Sequence, residues 1–318
     1  MIISAYCGYI KDENKLKQSA SGGLATAMAE YVIENDGVVY GVSYFPDGNF
    51  SDACYVRADT FDKIEKLKSS KYIKATLSRG IMDSVVEDLK NQNIVLFIGL
   101  PCDVFAIKSY VDKRGIPDDK LLTVDLICRG PTSPLVAKQF IENLEKKNKS
   151  KIIDFNVRYK NPLWKPPYLY AKFDNGKTFI DPFYETDYGI AFTMMTENKC
   201  YNCKNKGENH TSDVTIGDHH WATETDDVGY NKYGASVALN HTVKGENFVL
   251  SLENFNIFPT DIENAVKSNR RYLYPVDKTE ATEMFKKNFQ EGGLSYAVAK
   301  YLTRKQKFKR YIKKVLNR

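Results

Sequence analysis

Six cysteines are the residues of this 318-residue sequence most able to do chemistry: Cys7, Cys54, Cys102, Cys128, Cys200 and Cys203. Cys200-Tyr201-Asn202-Cys203 is a C-x-x-C, a spacing that lets two thiolates face one metal ion or cluster. By itself it fits half a zinc site, part of an iron–sulfur site or a redox dithiol. Cys102 follows the apolar run 94–98 in Gly99-Leu100-Pro101-Cys102-Asp103, and Cys128 ends the run 121–127 in Leu126-Ile127-Cys128-Arg129-Gly130. Ligands of open α/β sheets gather at the carboxyl ends of strands. Two cysteines at two such ends plus one C-x-x-C make a natural set of four ligands. Taken singly, Cys102 and Cys128 would pass for small buried residues, and Cys7 and Cys54 read as ordinary core or strand positions. Zinc is the competing occupant, because His210, His219 and His220 follow the C-x-x-C and could complete a Cys/His site. Their spacing from Cys203 is loose, and a hydrogen-bonded or solvated histidine is the plainer account of each.

Anion-binding signatures come next. Neither G-x-G-x-x-G nor G-x-x-x-x-G-K-[ST] occurs, which leaves an ordinary dinucleotide fingerprint or P-loop without support. Ser19-Ala20-Ser21-Gly22-Gly23 opens a helical pattern, where glycines admit a ligand close to the backbone and the helix dipole favours an anion. The plainer version is a serine cap with glycines for packing. Lys71-Tyr72, after Ser69-Ser70, offers a cation and a ring for stacking. Arg158, Lys160, Trp164 and Lys165 form a cationic and aromatic set in a proline-rich stretch, a candidate substrate face or simply a loop around a packed tryptophan.

The elements that must position these residues alternate. Residues 21–35, 79–91, 133–147 and a stretch from about 103 read as helices. Residues 37–44, 94–98 and 121–128 read as strands, the last two short and apolar enough to be buried on both faces. That rhythm predicts an α/β fold with a mixed, partly parallel sheet flanked by helices. From 151 the pattern turns strand-rich (152–158, 168–173, 177–180, 213–216 and 235–240), and helices are expected to dominate after 245. The expected organisation is an α/β region over 1–150, a strand-rich region with the C-x-x-C over 151–250, and a helical extension over 251–318.

Composition is that of a soluble globular chain, 42% hydrophobic and 27% charged, and no apolar run approaches the roughly 20 residues of a membrane span. A signal peptide is not expected, which points to a reducing cytoplasm and argues against a disulfide. Of 46 basic residues nine lie in 300–318 with no acid among them, so the remaining 37 face 40 acidic ones, a balance of −3. A nucleic-acid partner is therefore not expected. In the tail Phe308, Tyr311, Ile312 and Val315 recur at helical spacing. It reads as a basic amphipathic helix, either docked with a solvated face or lying on an anionic membrane, which would place the protein at the membrane's inner face.

Six landmarks in order, Ser19 to Gly23, Ser70-Lys71-Tyr72, Gly99 to Cys102, Val124 to Gly130 with Ser133-Pro134, Lys199 to Lys204 and Asp213 to Asp218, resemble the coenzyme F-420 hydrogenase/dehydrogenase beta-subunit family. The resemblance spans roughly 4–290. It implies FAD beside a 4Fe–4S cluster, with Cys102, Cys128, Cys200 and Cys203 as cluster ligands. Ser19, Ser21, Gly22, Gly23, Lys71, Tyr72 and Asp218 would approach FAD. It implies an oxidoreductase that takes electrons from a ferredoxin or a deazaflavin and delivers them to a small-molecule substrate, here expected to be a sugar or polysaccharide precursor. The alternative is a zinc-stabilised or degenerate binding or assembly subunit. Many relatives carry an N-terminal ferredoxin-like segment, and the type expected here lacks it. Arg129 stands where the family often has His, and His219-His220-Trp221 replaces its more usual aromatic-tryptophan pair.

Overall fold

The computed structural model describes residues 1–45, 48–160, 162–220 and 229–316; Trp221, Arg318 and the side chains of Tyr311 and Val315 lie outside the described set. The chain opens with β1 (Ser4–Ile10), α1 (Glu13–Gln18), α2 (Leu24–Glu34), β2 (Val38–Tyr44), β3 (Ala53–Ala58), α3 (Phe61–Glu65) and α4 (Arg79–Lys90). There follow β4 (Val95–Gly99), α5 (Pro101–Lys113), β5 (Leu121–Leu126), α6 (Pro134–Asn148), β6 (Ile152–Tyr159), β7 (Tyr168–Phe173), β8 (Thr178–Pro182) and α7 (Asp187–Met194). The remainder is β9 (Val214–Asp218), β10 (Ser236–Asn240), α8 (Val243–Leu250), β11 (Phe255–Pro259), α9 (Ile262–Ser268), α10 (Arg270–Leu273), α11 (Glu280–Tyr301) and α12 (Arg304–Leu316). This is the expected α/β class.

Eight strands form one sheet in the order β11-β1-β10-β9-β5-β4-β2-β3, and β6-β7-β8 form a second, antiparallel one. The centre of the large sheet, β2-β4-β5-β9, is parallel. Its strands are covered on both faces, which is why β4 reads Val-Leu-Phe-Ile-Gly with no polar alternation. One core layer joins Tyr40, Phe97 and Leu121 to Phe155, Leu169 and Phe173 of the small sheet. The opposite layer packs α2 through Ala27, Met28 and Val32 against Leu96 and Val124. Two strands depart from the expected pattern. β3 and β11 sit at the sheet's two edges, β3 with a short bridge from Cys54 to Thr76 on its outer side, and the sequence there carries Arg57 or ends in Pro259.

This topology gathers one rim. The parallel strands end at Tyr44, Gly99, Leu126 and Asp218, and the candidate residues leave from those ends. At the C-terminal side, α11 is two helical segments meeting at Gly293, where the amide of Leu294 donates to Gln139 Oε1 at 2.7 Å. Among the described residues no helix is long and apolar enough to cross a membrane.

Candidate functional site

Cys102 lies in the first turn of α5, where Pro101 fits because the first helical amide needs no intrahelical partner. Cys128 leaves β5 two residues past its end. Cys200 and Cys203 lie in and just after a 3-10 turn over Asn198–Asn202. All four line a single cleft, with Lys74, Arg129, Lys199 and Lys206 beside them and no carboxylate among the lining residues. Gly130 is the close-packing point. Its φ is +106°, and a Cβ there would meet Thr196 Cγ2 at 2.5 Å and Cys200 Cβ at 3.0 Å. Its amide donates to Cys128 Sγ at 3.2 Å. Cys102 Sγ faces Asp103 Oδ1 at 3.8 Å, and Cys203 Sγ faces the Asn205 carbonyl at 3.9 Å.

Electrostatics around the thiols follow from burial. It pushes Cys102, Cys128 and Cys200 up to about 11, with Asp103 adding to the effect at Cys102 and Glu197 at Cys200. Lys74 donates to both oxygens of Asp103, at 2.7 and 2.9 Å, and offsets part of the nearest carboxylate charge. Lys206 donates to the carbonyls of Cys128 and Arg271. Burial holds its ammonium below the ordinary lysine value.

A chain of side chains leads away from this cleft. Arg129 donates to the carbonyls of Phe192 and Thr193 and lies 5.0 Å from the centre of the Phe192 ring. The Phe192 ring stacks on Tyr72, 4.4 Å between centroids. Arg158 reaches Tyr72 Oη at 3.4 Å and grips Asp218 through both carboxylate oxygens at 3.0 Å. Backbone pairing of Ile73 with Thr132 fixes the Tyr72 segment beside the loop that follows Cys128. Burial would raise the Asp218 carboxyl, but Arg158 overrides it and holds it below the usual range. Burial also pushes the Tyr72 phenol up to about 12.

The other residues singled out in the sequence are engaged internally. Ser19 Oγ donates to the Lys15 carbonyl at 2.8 Å and meets Thr26 Oγ1 at 2.9 Å; Ser21 Oγ donates to the Ala235 carbonyl at 2.6 Å. Gly22 packs flush, since a Cβ would stand 2.3 Å from the Gly8 carbonyl oxygen, and its amide donates to Ser236 Oγ. The amide of Gly23 donates to the Ala20 carbonyl. Lys71 buries its ammonium among the carbonyls of Lys66, Leu67, Lys68 and Ser69, and burial brings it down to about 7. Lys160 turns inward to the carbonyls of Leu16 and Ser21 and is likewise brought to about 7 by burial, with Arg158 adding. Trp164 is packed inside with Lys165 over its ring at 4.2 Å. Bordering this region is a cleft of about 410 Å³, lined by Tyr44, Phe45 and Phe50, by Lys66, Lys68 and Lys71, and by Gln18 and Ser69.

Over residues 92–260 the chain matches the family described as coenzyme F420 hydrogenase/dehydrogenase, C terminus of the beta subunit. It belongs to that family. Its fold is also similar to that of a chain in a solved structure of the F420-reducing [NiFe] hydrogenase complex from Methanosarcina barkeri. The two share 16% identity and a TM-score of 0.57, over 92% of this chain and 94% of that one. The matched residues of this family member include all four clustered cysteines and the segments carrying Phe192 and the Arg158–Asp218 pair.

The histidines resolve differently from a Cys/His site. His210 Nδ1 is hydrogen-bonded to Asp125 Oδ2 at 2.7 Å, and His210 stacks on Tyr272 and shares Thr215 with His241. His220 stands 3.9 Å from Asp218. Among the described residues no three His, Cys, Asp or Glu side chains converge closely enough to hold one metal ion. Sequence reasoning missed Phe192, Gly130, Lys74 and Lys206. Of these only Gly130, two residues after a cysteine, carried a local signal.

Proposed function

We propose that this chain is an oxidoreductase that holds FAD and a 4Fe–4S cluster and passes electrons between a ferredoxin or deazaflavin donor and a two-electron substrate. The observation that carries the reading is the convergence of Cys102, Cys128, Cys200 and Cys203 on one cation-rimmed cleft. Thiolates around an iron–sulfur cluster bring negative charge, and Lys74, Arg129, Lys199 and Lys206 supply the opposite sign. A lone zinc wants ligands roughly 2.0–2.3 Å from its centre. A cluster of several irons presents its corners farther apart, which suits four thiols that share a cleft without closing on a point.

When bound, a flavin takes electrons one at a time or as a hydride and so joins a one-electron donor to a two-electron substrate. The chain's own residues do the rest. Gly130 places an N–H against Cys128 Sγ, the kind of contact that tunes a cluster's potential. Lys74 offsets part of the Asp103 charge that opposes thiolate formation at Cys102. Arg129, Phe192 and Tyr72 form a continuous line of contacts from the residue after Cys128 to the Arg158–Asp218 pair. The cleft beside Lys71 supports FAD binding: its tyrosine and phenylalanines offer stacking faces, and Lys66, Lys68 and Lys71 offer charge to a pyrophosphate. Ser19, Ser21, Gly22 and Gly23 would shape its border next to Gln18, with Tyr72 and Asp218 on the side facing the cysteines. A sugar or polysaccharide precursor is the substrate we infer.

Anaerobic purification tests this directly through the visible spectrum and counts of iron and flavin. A brown-yellow protein with about four irons and a flavin per chain, bleached by dithionite, is expected. A colourless protein with zinc, or one with neither iron nor flavin, overturns the reading in favour of a binding or assembly subunit.

A further inference from the structure

We propose that α12 is an interfacial helix that lays Phe308 and Ile312 onto an anionic phospholipid surface. One contact sets its orientation. Arg310 donates to Asp187 Oδ1 of α7 at 2.7 Å and to the Glu185 carbonyl. At 3.6 residues per turn, positions two before and two after Arg310 both fall near the opposite side of the helix. The clamp therefore turns Phe308 and Ile312 outward as a pair one turn apart, and they are 65% and 40% exposed.

The charge around that pair points to its occupant. Seven of the thirteen residues of α12 are Lys or Arg and none is acidic. Arg304, Lys305 and Lys309 are exposed and flank the apolar pair along the helix. An apolar stripe bordered by cations is the pattern of a helix lying in the headgroup layer, where anionic lipids supply the opposite charge and the acyl boundary takes the rings. Two apolar side chains give reversible attachment rather than anchoring. The helix lies outside the family-matched residues 92–260. It rests on α7, whose Phe192 stacks on Tyr72, so attachment would bring the membrane close to the redox site.

The test is sedimentation of the full chain with vesicles of phosphatidylcholine alone and with about one third phosphatidylglycerol, at low and high salt. Partitioning to the anionic vesicles, weakened at high salt and absent with neutral ones, is expected. The double variants Phe308→Ser/Ile312→Ser and Lys305→Glu/Lys309→Glu should each reduce it on the order of tenfold. Both change exposed residues, so thermal melts should match the parent. Failure of the parent to sediment with anionic vesicles overturns the proposal, as does equal binding by the variants. A parent that instead doubles its mass in solution through Phe308 and Ile312 also overturns it, by assigning the stripe to a second copy of the chain.

Discussion

At the cysteine cleft the polar contacts of the thiols are thin: one amide on Cys128 at 3.2 Å, and oxygens 3.8 and 3.9 Å from Cys102 and Cys203. Around Tyr72 the candidate groups are already strongly bonded. Lys71 has four carbonyls, Arg158 and Asp218 have each other twice over, and both serine hydroxyls are spent within the fold. Both regions stand on the same rim, yet one holds soft, weakly bonded thiols in reserve while the other is a self-satisfied polar network. Soft sulfur can be kept buried and weakly bonded because a neutral thiol costs little to desolvate. A buried lysine or carboxylate cannot be kept that way. The polar side has therefore to be complete before any ligand arrives, and the sulfur side does not.

The largest expected effect comes from breaking the reserve. Replacing any one of Cys102, Cys128, Cys200 or Cys203 with Ser should remove most of the iron and the associated visible absorption from anaerobically prepared protein. Cys7→Ser and Cys54→Ser should leave both intact. Iron content alone decides it, so the substrate need not be known. Retention of full iron by Cys128→Ser would separate that residue from the quartet.

Breaking the network should cost stability instead of iron. Asp218→Asn leaves the Arg158 guanidinium without its counter-charge in a mostly buried place, the side chains being 13% and 19% exposed. The loss should be about 3 kcal/mol, the low end of what a half-removed buried pair costs, read as a shift in the urea midpoint. Arg158→Met/Asp218→Leu, which removes both charges, should recover part of it. An Asp218→Asn protein as stable as the parent would show that the pair is not holding the small sheet to β9.

Gly130→Ala sits between the two. Its φ of +106° and a Cβ only 2.5 Å from Thr196 Cγ2 imply strain of roughly 1–3 kcal/mol. Because the added methyl also meets Cys200, iron retention should drop alongside stability.

How far the sequence could be read follows from the same contrast. The parallel strands β4 and β5 were legible because strands buried on both faces must be apolar throughout. The cysteines at their ends could be singled out as candidates because thiols are few in the chain and their strand-end placement is local, and the fold brings them to one cleft. The edge strand β3, with Arg57 reaching Asp88 and Asp59, carried no such run. The pairing of Arg158 with Asp218 spans sixty residues and two sheets, and no local spacing states which carboxylate a guanidinium will meet. Asp218 and Lys71 could be picked out as charged residues in suggestive places. That Lys71 turns inward onto helix-end carbonyls depends on the course of the backbone, which only the folded chain shows.

The smallest effect is one of sign, and it sets the two regions against each other in iron-free protein. Lys71 and Lys160 are held near 7 in the fold, against about 10.4 for an unfolded lysine. Above pH 7 the unfolded chain therefore binds more protons at these two positions, and stability should rise with pH. Cys102, Cys128 and Cys200 are pushed the other way, to about 11 in the fold, against about 8.5 unfolded. Above pH 8.5 the unfolded chain sheds those protons first, and stability should fall. Urea midpoints taken in small pH steps should accordingly climb from 7, crest near 8.5 and decline. Lys71→Met should flatten the climb and leave the decline, whereas Cys102→Ser/Cys128→Ser should do the reverse. Iron bound to the thiols would remove their protons from both sides of the balance above pH 8.5, so the reconstituted protein should lose the decline and keep the climb. A profile that falls steadily from pH 7 would mean that the carbonyls around Lys71 and Lys160 hold both ammonium groups charged despite their burial.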